Sequence, residues 1–264
     1  MILGVFLQNS LPEKFVRIPA ATYMVGSKSV SNNLSRKVTI KSFEIATTEV
    51  TNHDFSAFVK ATGYVTLAEK LHNGMIFEPG LKEFKWLKDP TASWKFPNGK
   101  TRGGIADKGN HPVTGISETD ALAYCVWAKV RLPSLDEWEI ACRAGTNTDY
   151  FFGSDLTDLK LYANVWYGKD HLKADKSDGF LTTSPVASFK ANPWGLYDIY
   201  GNVFEFCSGR LKEDKSAKLA HARGGSWWCS KNACCAFNSF YIGKVNPRAS
   251  FSNLGFRVAR DVKQ

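Results

Sequence analysis

The chain has 264 residues, 44% of them hydrophobic and 13% aromatic, enough apolar side chain to pack a core and too much for a disordered polypeptide. Its 34 Lys and Arg exceed its 25 Asp and Glu, for a formal net charge of +9. The basic residues are scattered rather than gathered into the stripe that nucleic-acid binding requires, so the surplus points to solubility or to acidic partners.

No apolar run approaches the roughly 18 residues of a membrane-spanning helix. The start, MILGVFLQNS, lacks the basic flank and small-residue cleavage site of a secretory signal. In chain order, Phe15–Pro19 and Thr22–Ser27 read as two β-rich runs around a small-residue turn, hence as a hairpin. Val38–Ile40 and Phe43–Ile45 continue as strands. Thr51 and Asn52 cap a helix whose Phe55, Phe58 and Val59 share one face and which stops at Gly63.

Residues 70–110 form a long irregular stretch whose Trp86 and Trp94 suggest that it is packed down. A second helix starts at Ser117, with Asp120 at its third position, and buries Ala121, Tyr124, Cys125 and Ala128. A third starts at Ser134 with Glu137 completing a capping box, turns Trp138, Ala141 and Cys142 inward and ends before Gly145. Beyond 146 short aromatic pieces such as Ala163–Trp166 and Val203–Phe206 alternate with turns. No linker or repeat divides the chain, so a single domain over 1–264 is expected, with residues 1–13 as an N-terminal extension.

Cys125 and Cys142 fall on apolar helical faces and read as buried thiols. Cys207 stands apart, whereas Cys229, Cys234 and Cys235 crowd together without zinc-knuckle spacing. They lie in the segment 222–260, whose composition fits neither helical nor strand periodicity. His53, His72, His111, His171 and His221 show no paired spacing, and no nucleophile elbow or phosphate-binding loop is present.

Motifs in a fixed order carry a resemblance across about 14–260. They include Thr48–Asn52, Ala61–Tyr64, His111–Val113, Arg131–Ser134 with Glu137–Glu139, Gly195–Val203 and Arg223–Trp227. Together they resemble the formylglycine-generating enzyme (sulfatase-modifying factor) family. The resemblance implies an α+β, C-type-lectin-like fold of the formylglycine-generating-enzyme type, loop-rich with few short helices. Two kinds of protein share that scaffold. One is a copper-dependent oxidase that converts a sulfatase cysteine to formylglycine. The other is a set of non-enzymatic variable proteins, the treponemal ones among them, whose C-terminal ligand site is diversified by a retroelement.

For the oxidase, the resemblance places a copper(I) site on Cys229 and Cys234 with Ser226 beside them, and soft thiolates suit that ion. The oxidase arginines two and eight residues after the second cysteine are here Ala236 and Ile242, Cys235 is an additional thiol, and Trp-Glu-Trp is Phe204-Glu205-Phe206. For the variable proteins, the diversification rule makes Trp227, Trp228, Lys231 and Lys244 framework. It allows Cys229, Ser230, Phe237, Ser239, Phe240, Tyr241, Ile242 and Gly243 as a varied ligand-binding set. Rigid aromatics are efficient contact residues, and the balance of these departures favours a non-enzymatic, receptor-like display protein, with the oxidase as the alternative. On that reading the eight side chains are exposed on one face above Trp227 and Trp228, and the ligand is a macromolecule, a protein rather than nucleic acid.

The resemblance also implies two structural calcium sites, one on Asn164, Val165, Asp178 and Phe180, the other on Asp198, Gly201, Val203 and Glu205. It further implies display at the cell surface.

Overall fold

The computed structural model describes residues 15–173, 175–209, 219–231 and 234–262, and the expected extension 1–13 lies outside them. Four strands open the chain: β1 (Phe15–Ile18), β2 (Ala21–Val25), β3 (Arg36–Ile40) and β4 (Phe43–Ala46). Helices α1 (Asn52–Thr62) and α2 (Leu67–Leu71) follow, then β5 (Gly74–Ile76), β6 (Leu87–Asp89), α3 (Glu118–Ala128) and α4 (Leu135–Arg143). The C-terminal part is made of β7 (Phe204–Cys207), β8 (Ala220–Arg223), β9 (Gly243–Val245), β10 (Leu254–Gly255) and β11 (Ala259–Asp261) joined by long turns.

β1 and β2 do not form the hairpin expected from their sequence. β2 pairs with β3, and β1 pairs with β4 around that inner hairpin, with Ile18 opposite Phe43. A two-residue hairpin turn needs left-handed backbone at its centre, which Pro19-Ala20 does not favour. The chain instead turns out of one pair and into the other. β11 adds to the far side of β4, so the two ends of the described chain meet in one sheet ordered β1-β4-β11. A second sheet, β10-β7-β8-β9, carries the C-terminal segment, with β9 and β10 as its edges.

The helix starts are set by local hydrogen bonding. Thr51, Thr66, Ser117 and Ser134 each accept from the backbone N–H of the third helical residue, while Asp54, Glu69, Asp120 and Glu137 return the bond to the cap. α2 went unread just before the stretch 70–110, although Thr66 and Glu69 have the capping-box spacing, and that stretch itself holds β5 and β6. Within that stretch Trp94 is buried and Trp86 half-buried, as expected of packed aromatics, while Phe84 and Leu87 are exposed.

α4 is central. Trp138 on it is fully buried in a cluster with Ile18, Phe43, Tyr200, Trp227 and Phe237, each aromatic contributing roughly 1.5–3 kcal/mol. Beside it the Glu139 carboxylate, also fully buried, accepts from Gly26 N at 2.6 Å, Asn33 Nδ2 at 2.8 Å, Arg143 Nε at 2.9 Å and Arg223 at 3.0 Å. Such a pair is secured only because every oxygen is used.

Burial pushes the Glu139 carboxyl up, but Arg223 and Arg143 outweigh burial, and the net direction is down from the ordinary 4.5. A depressed carboxyl stabilises the fold above its unfolded value, and that contribution is lost as pH falls from 4.5 toward the folded value. Glu139→Gln is therefore expected to lower stability at pH 7 by about 3 kcal/mol in urea titrations. Its loss of stability below pH 4.5 should also be shallower than that of the parent chain.

Candidate functional site

The site forms where β8 ends. Gly224 and Gly225 turn the chain in left-handed backbone, with φ of +92° and +73°. A Cβ on Gly225 would lie 2.8 Å from Phe237 Cα, so only glycine lets the two arms of the segment touch. Trp227 and Trp228 are buried beneath, as a framework should be. The turn continues through the Cys229 N–H to the Ser226 carbonyl at 2.9 Å.

Cys229 and Cys234 come together here, paired as a disulfide with Cα atoms 5.1 Å apart. Cys229 is fully buried and Cys234 half-buried. Ser226 Oγ lies 3.9 Å from the Cys229 sulfur and accepts from Asn253 Nδ2 at 2.9 Å. Adding two electrons and two protons to the pair leaves two neighbouring thiols, which as thiolates are a soft donor set that fits copper(I). Cys235 is exposed and unpaired by disulfide.

Cys234 lines a groove with a volume of about 240 Å3. Its floor is the face of the β7-β8-β9 sheet, through Phe204, Ala222 and Gly243; its walls include Phe84, Trp86 and Trp228, with Tyr241 and Lys244 also lining it. Phe84 and Trp86 lie 5.0 and 5.7 Å from Trp228, centroid to centroid. The groove is thus aromatic with one cationic side chain, suited to an extended chain bearing apolar residues.

The eight residues expected on an exposed face are mostly inside. Cys229, Ser230, Phe237, Ser239 and Ile242 are buried, Phe240 and Gly243 are half-buried, and Tyr241 alone is exposed, at 38%. The cause is hydrogen bonding that ties the segment to its support. The Ser239 hydroxyl donates to the Asp149 carbonyl at 2.8 Å and meets the Tyr200 hydroxyl at 2.8 Å. Arg223 donates to the Ser239 and Tyr241 carbonyls, and Asn33 to the Phe240 carbonyl. Tyr241, Gly243 and Cys234 do reach the groove.

Sequence reasoning passed over His171. Its ring is fully buried and stacks between Trp166 at 4.8 Å and Trp228 at 4.3 Å. Its Nε2–H donates to the Trp228 carbonyl at 2.7 Å, and Nδ1 sits 3.4 Å from Glu83. It thereby fixes the backbone just before Cys229. Phe84, Trp86 and Glu83 come from the irregular stretch, where no local periodicity marks them.

Of the implied calcium ligands, Asn164 donates to the Thr182 carbonyl at 2.9 Å, and its own carbonyl accepts from Asn202 N. Asp178 keeps one buried oxygen without a partner. Burial pushes that carboxyl up, and a cation beside the unpartnered oxygen would offset that cost. In the second set Asp198 also keeps an oxygen without a partner, but the carboxylate of Glu205 is already engaged. Glu205 gives both oxygens to Arg257, at 2.6 Å each, and one also to Trp138 Nε1 at 2.6 Å. Arginine already holds the charge that an ion would neutralise. Among the described residues no three His, Cys, Asp or Glu side chains converge on a metal position.

Residues 6–262 match the model of the sulfatase-modifying factor enzyme 1-like domain. The chain belongs to the sulfatase-modifying factor family. It is 36% identical over 280 residues to the formylglycine-generating enzyme of Mus musculus, covering 94% of this chain and 75% of that protein. It is also 32% identical over 276 residues to a Bos taurus protein named inactive C-alpha-formylglycine-generating enzyme 2, covering 96% and 90%. Family membership by itself therefore leaves catalysis open.

Among solved structures, PvdO from Pseudomonas aeruginosa superposes with a TM-score of 0.68 at 23% identity, covering 94% of each chain. Treponema denticola variable protein 1 superposes at 0.64 and 21%, covering 94% of this chain and 95% of that one. These likenesses bear on the fold, which is the C-type-lectin-like one of this family.

In the sulfatase-modifying factor fold seen here, peptide mapping without reductant is expected to link Cys229 to Cys234. Iodoacetamide should label exposed Cys235 first. Cys125 and Cys142, buried and with thiols pushed up to about 12 by burial, should react only on unfolding.

Proposed function

We propose that the chain oxidises a cysteine thiol within an extended peptide seated in the aromatic groove, in the manner of a formylglycine-generating enzyme. The observation that carries this reading is the meeting of Cys229 and Cys234, with Ser226 alongside Cys229 and Cys234 lining the groove. The formylglycine-generating relatives support it.

The net conversion takes a CH2–SH group and dioxygen, with two electrons and two protons from an external thiol reductant, to an aldehyde, hydrogen sulfide and water. Copper(I), when bound, supplies one-electron exchange with dioxygen. Cys229 and Cys234 are the residues that would hold it, as thiolates. Half-buried Cys234 faces the incoming substrate thiol, while buried Cys229 has its backbone fixed by Trp166 N at 2.8 Å on its carbonyl. Ser226, held by Asn253, presents its hydroxyl to the Cys229 sulfur. Phe84, Trp86 and Trp228 position the peptide and keep water from the reacting carbon.

A second reading is favoured by Ala236 and Ile242, both buried where the resemblance leads one to expect arginines. In it the same groove captures a macromolecular ligand, most simply a protein, without turnover, through Tyr241 and the aromatic walls. Cell-surface display belongs with this reading. Calcium at Asp178 and Asn164 is compatible with both readings and is supported by the unpaired Asp178 oxygen.

Incubation of the reduced protein with copper(I), dioxygen, a thiol reductant and a sulfatase-motif peptide is expected to yield an aldehyde detected by hydrazide labelling. Cys229→Ser should lower the rate by at least about 1,000-fold and Ser226→Ala by about 10–100-fold. Retained peptide binding with no aldehyde from the parent chain would decide for the second reading. Added calcium should raise the melting temperature, and Asp178→Asn should remove that increase; an unchanged melting temperature would remove calcium from the account.

A further inference from the structure

The wall of the aromatic groove is cut from a stretch in which lysines interleave with the lining. Along Lys82-Glu83-Phe84-Lys85-Trp86-Leu87-Lys88, Phe84 and Trp86 line the groove while Lys82, Lys85 and Lys88 are exposed. Lys244 of β9 lines it as well, and no Asp or Glu does. Among the described residues, none of the three wall lysines has a carboxylate within ion-pair distance. Glu83, the one acid of the stretch, is used elsewhere: it lies 3.4 Å from Nδ1 of the buried His171. Gly80 N adds a second tether, donating to the His171 carbonyl at 3.0 Å. Between these tethers and β6, Phe84 takes left-handed backbone with φ of +58°, uncommon for a bulky side chain, and keeps its ring 63% exposed at the groove.

A recess lined by rings, flanked by cations and free of its own carboxylates presents a positive potential where a ligand enters. Apolar contact then supplies affinity, and the flanking charges select among ligands and speed their encounter. Lysines beside aromatics also serve single-stranded nucleic acid, but that use needs open ring faces on which successive bases stack. Here the rings pack on one another instead. Phe84 and Trp86 meet Trp228 at interplanar angles of 66° and 44°, and Trp228 is only 3% exposed. A groove of about 240 Å3 takes a few side chains rather than a run of bases.

We infer that the groove selects an acidic peptide: an extended segment that sets an apolar side chain against Phe84 and Trp86 and carries carboxylates on its flanks, toward Lys82, Lys85 and Lys88. The inference rests on the reading of the groove as a peptide site and names the class of peptide. It applies equally to a peptide that is oxidised and to one that is only held.

Fluorescence anisotropy of labelled peptides on the intact chain tests this, with serine in place of the peptide cysteine so that no chemistry intervenes. The peptides share an apolar centre and differ only in flanks of glutamate, glutamine or lysine. The glutamate peptide is expected to bind about tenfold or more tighter than the glutamine one, the lysine peptide most weakly, with the differences shrinking as salt rises. Lys85→Glu with Lys88→Glu should erase that preference. Lys37→Glu with Lys41→Glu, an equal change of net charge on and just after β3, should keep it. All four lysines are exposed, so thermal unfolding of both variants should stay close to that of the parent. Equal binding of the three peptides, weakened throughout by Phe84→Ala, would overturn the acidic preference and leave the groove a peptide site. Binding of none would overturn both. Equal losses in the two lysine pairs would reduce the effect to net charge and overturn the inference, as would tighter binding of an oligothymidylate.

Discussion

The buried Glu139 carboxylate is the interaction on which the rest of the structure depends. It gathers donors from parts of the chain far apart in sequence: Gly26 and Asn33 near the N-terminal strands, Arg143 on its own helix, and Arg223 at the end of β8. Two of these donors also hold the C-terminal segment. Asn33 donates onward to the Phe240 carbonyl, and Arg223 to those of Ser239 and Tyr241. A single charge therefore fixes the rigid support and the segment it presents relative to each other. Removing one partner leaves several buried polar groups exposed to the same penalty.

The cysteine site follows from that arrangement. With 237–242 tied down, Phe237 fills the space that Gly225 leaves by lacking a Cβ. Glu205 performs the parallel task next door. It holds Arg257 and Trp138, and Arg257 in turn bridges to the carbonyls that precede Glu49. The two hubs lie beside Trp138, Glu205 through its hydrogen bond to Nε1 and Glu139 as the next residue on the helix. Ala236 and Ile242 are core residues here, which leaves the groove to bind through its aromatic rings and Lys244.

Much of the frame was legible because it is encoded locally. Thr51, Ser117 and Ser134 announce their helices through bonds to residues three positions away, and the inward faces of α3 and α4 follow the helical period. The placing of Cys229 near Cys234 belonged to the oxidase alternative that the resemblance implied, as copper ligands and not as a disulfide, and the framework role of Trp227 and Trp228 to its variable-protein rule. The β1–β2 hairpin failed because strand partners are chosen by non-local pairing, and alternation alone does not tell β4 from β2. The exposed face failed for a related reason. Ser239 and Phe237 look like surface residues in an aperiodic stretch until Asp149, Tyr200 and Gly225, distant in sequence, supply their partners. The roles of His171 and Glu139 are likewise products of convergence.

The central claim is that the fold brings Cys229 and Cys234 together as one dithiol for a soft ion. X-ray absorption at the copper edge of the reduced chain loaded with one equivalent of copper(I) tests it directly. The account predicts a copper bound by sulfur from both cysteines, with that signature lost in Cys234→Ser and kept in Cys235→Ser. A copper held by nitrogen or oxygen donors, or a signal that depends on Cys235 instead, would contradict it.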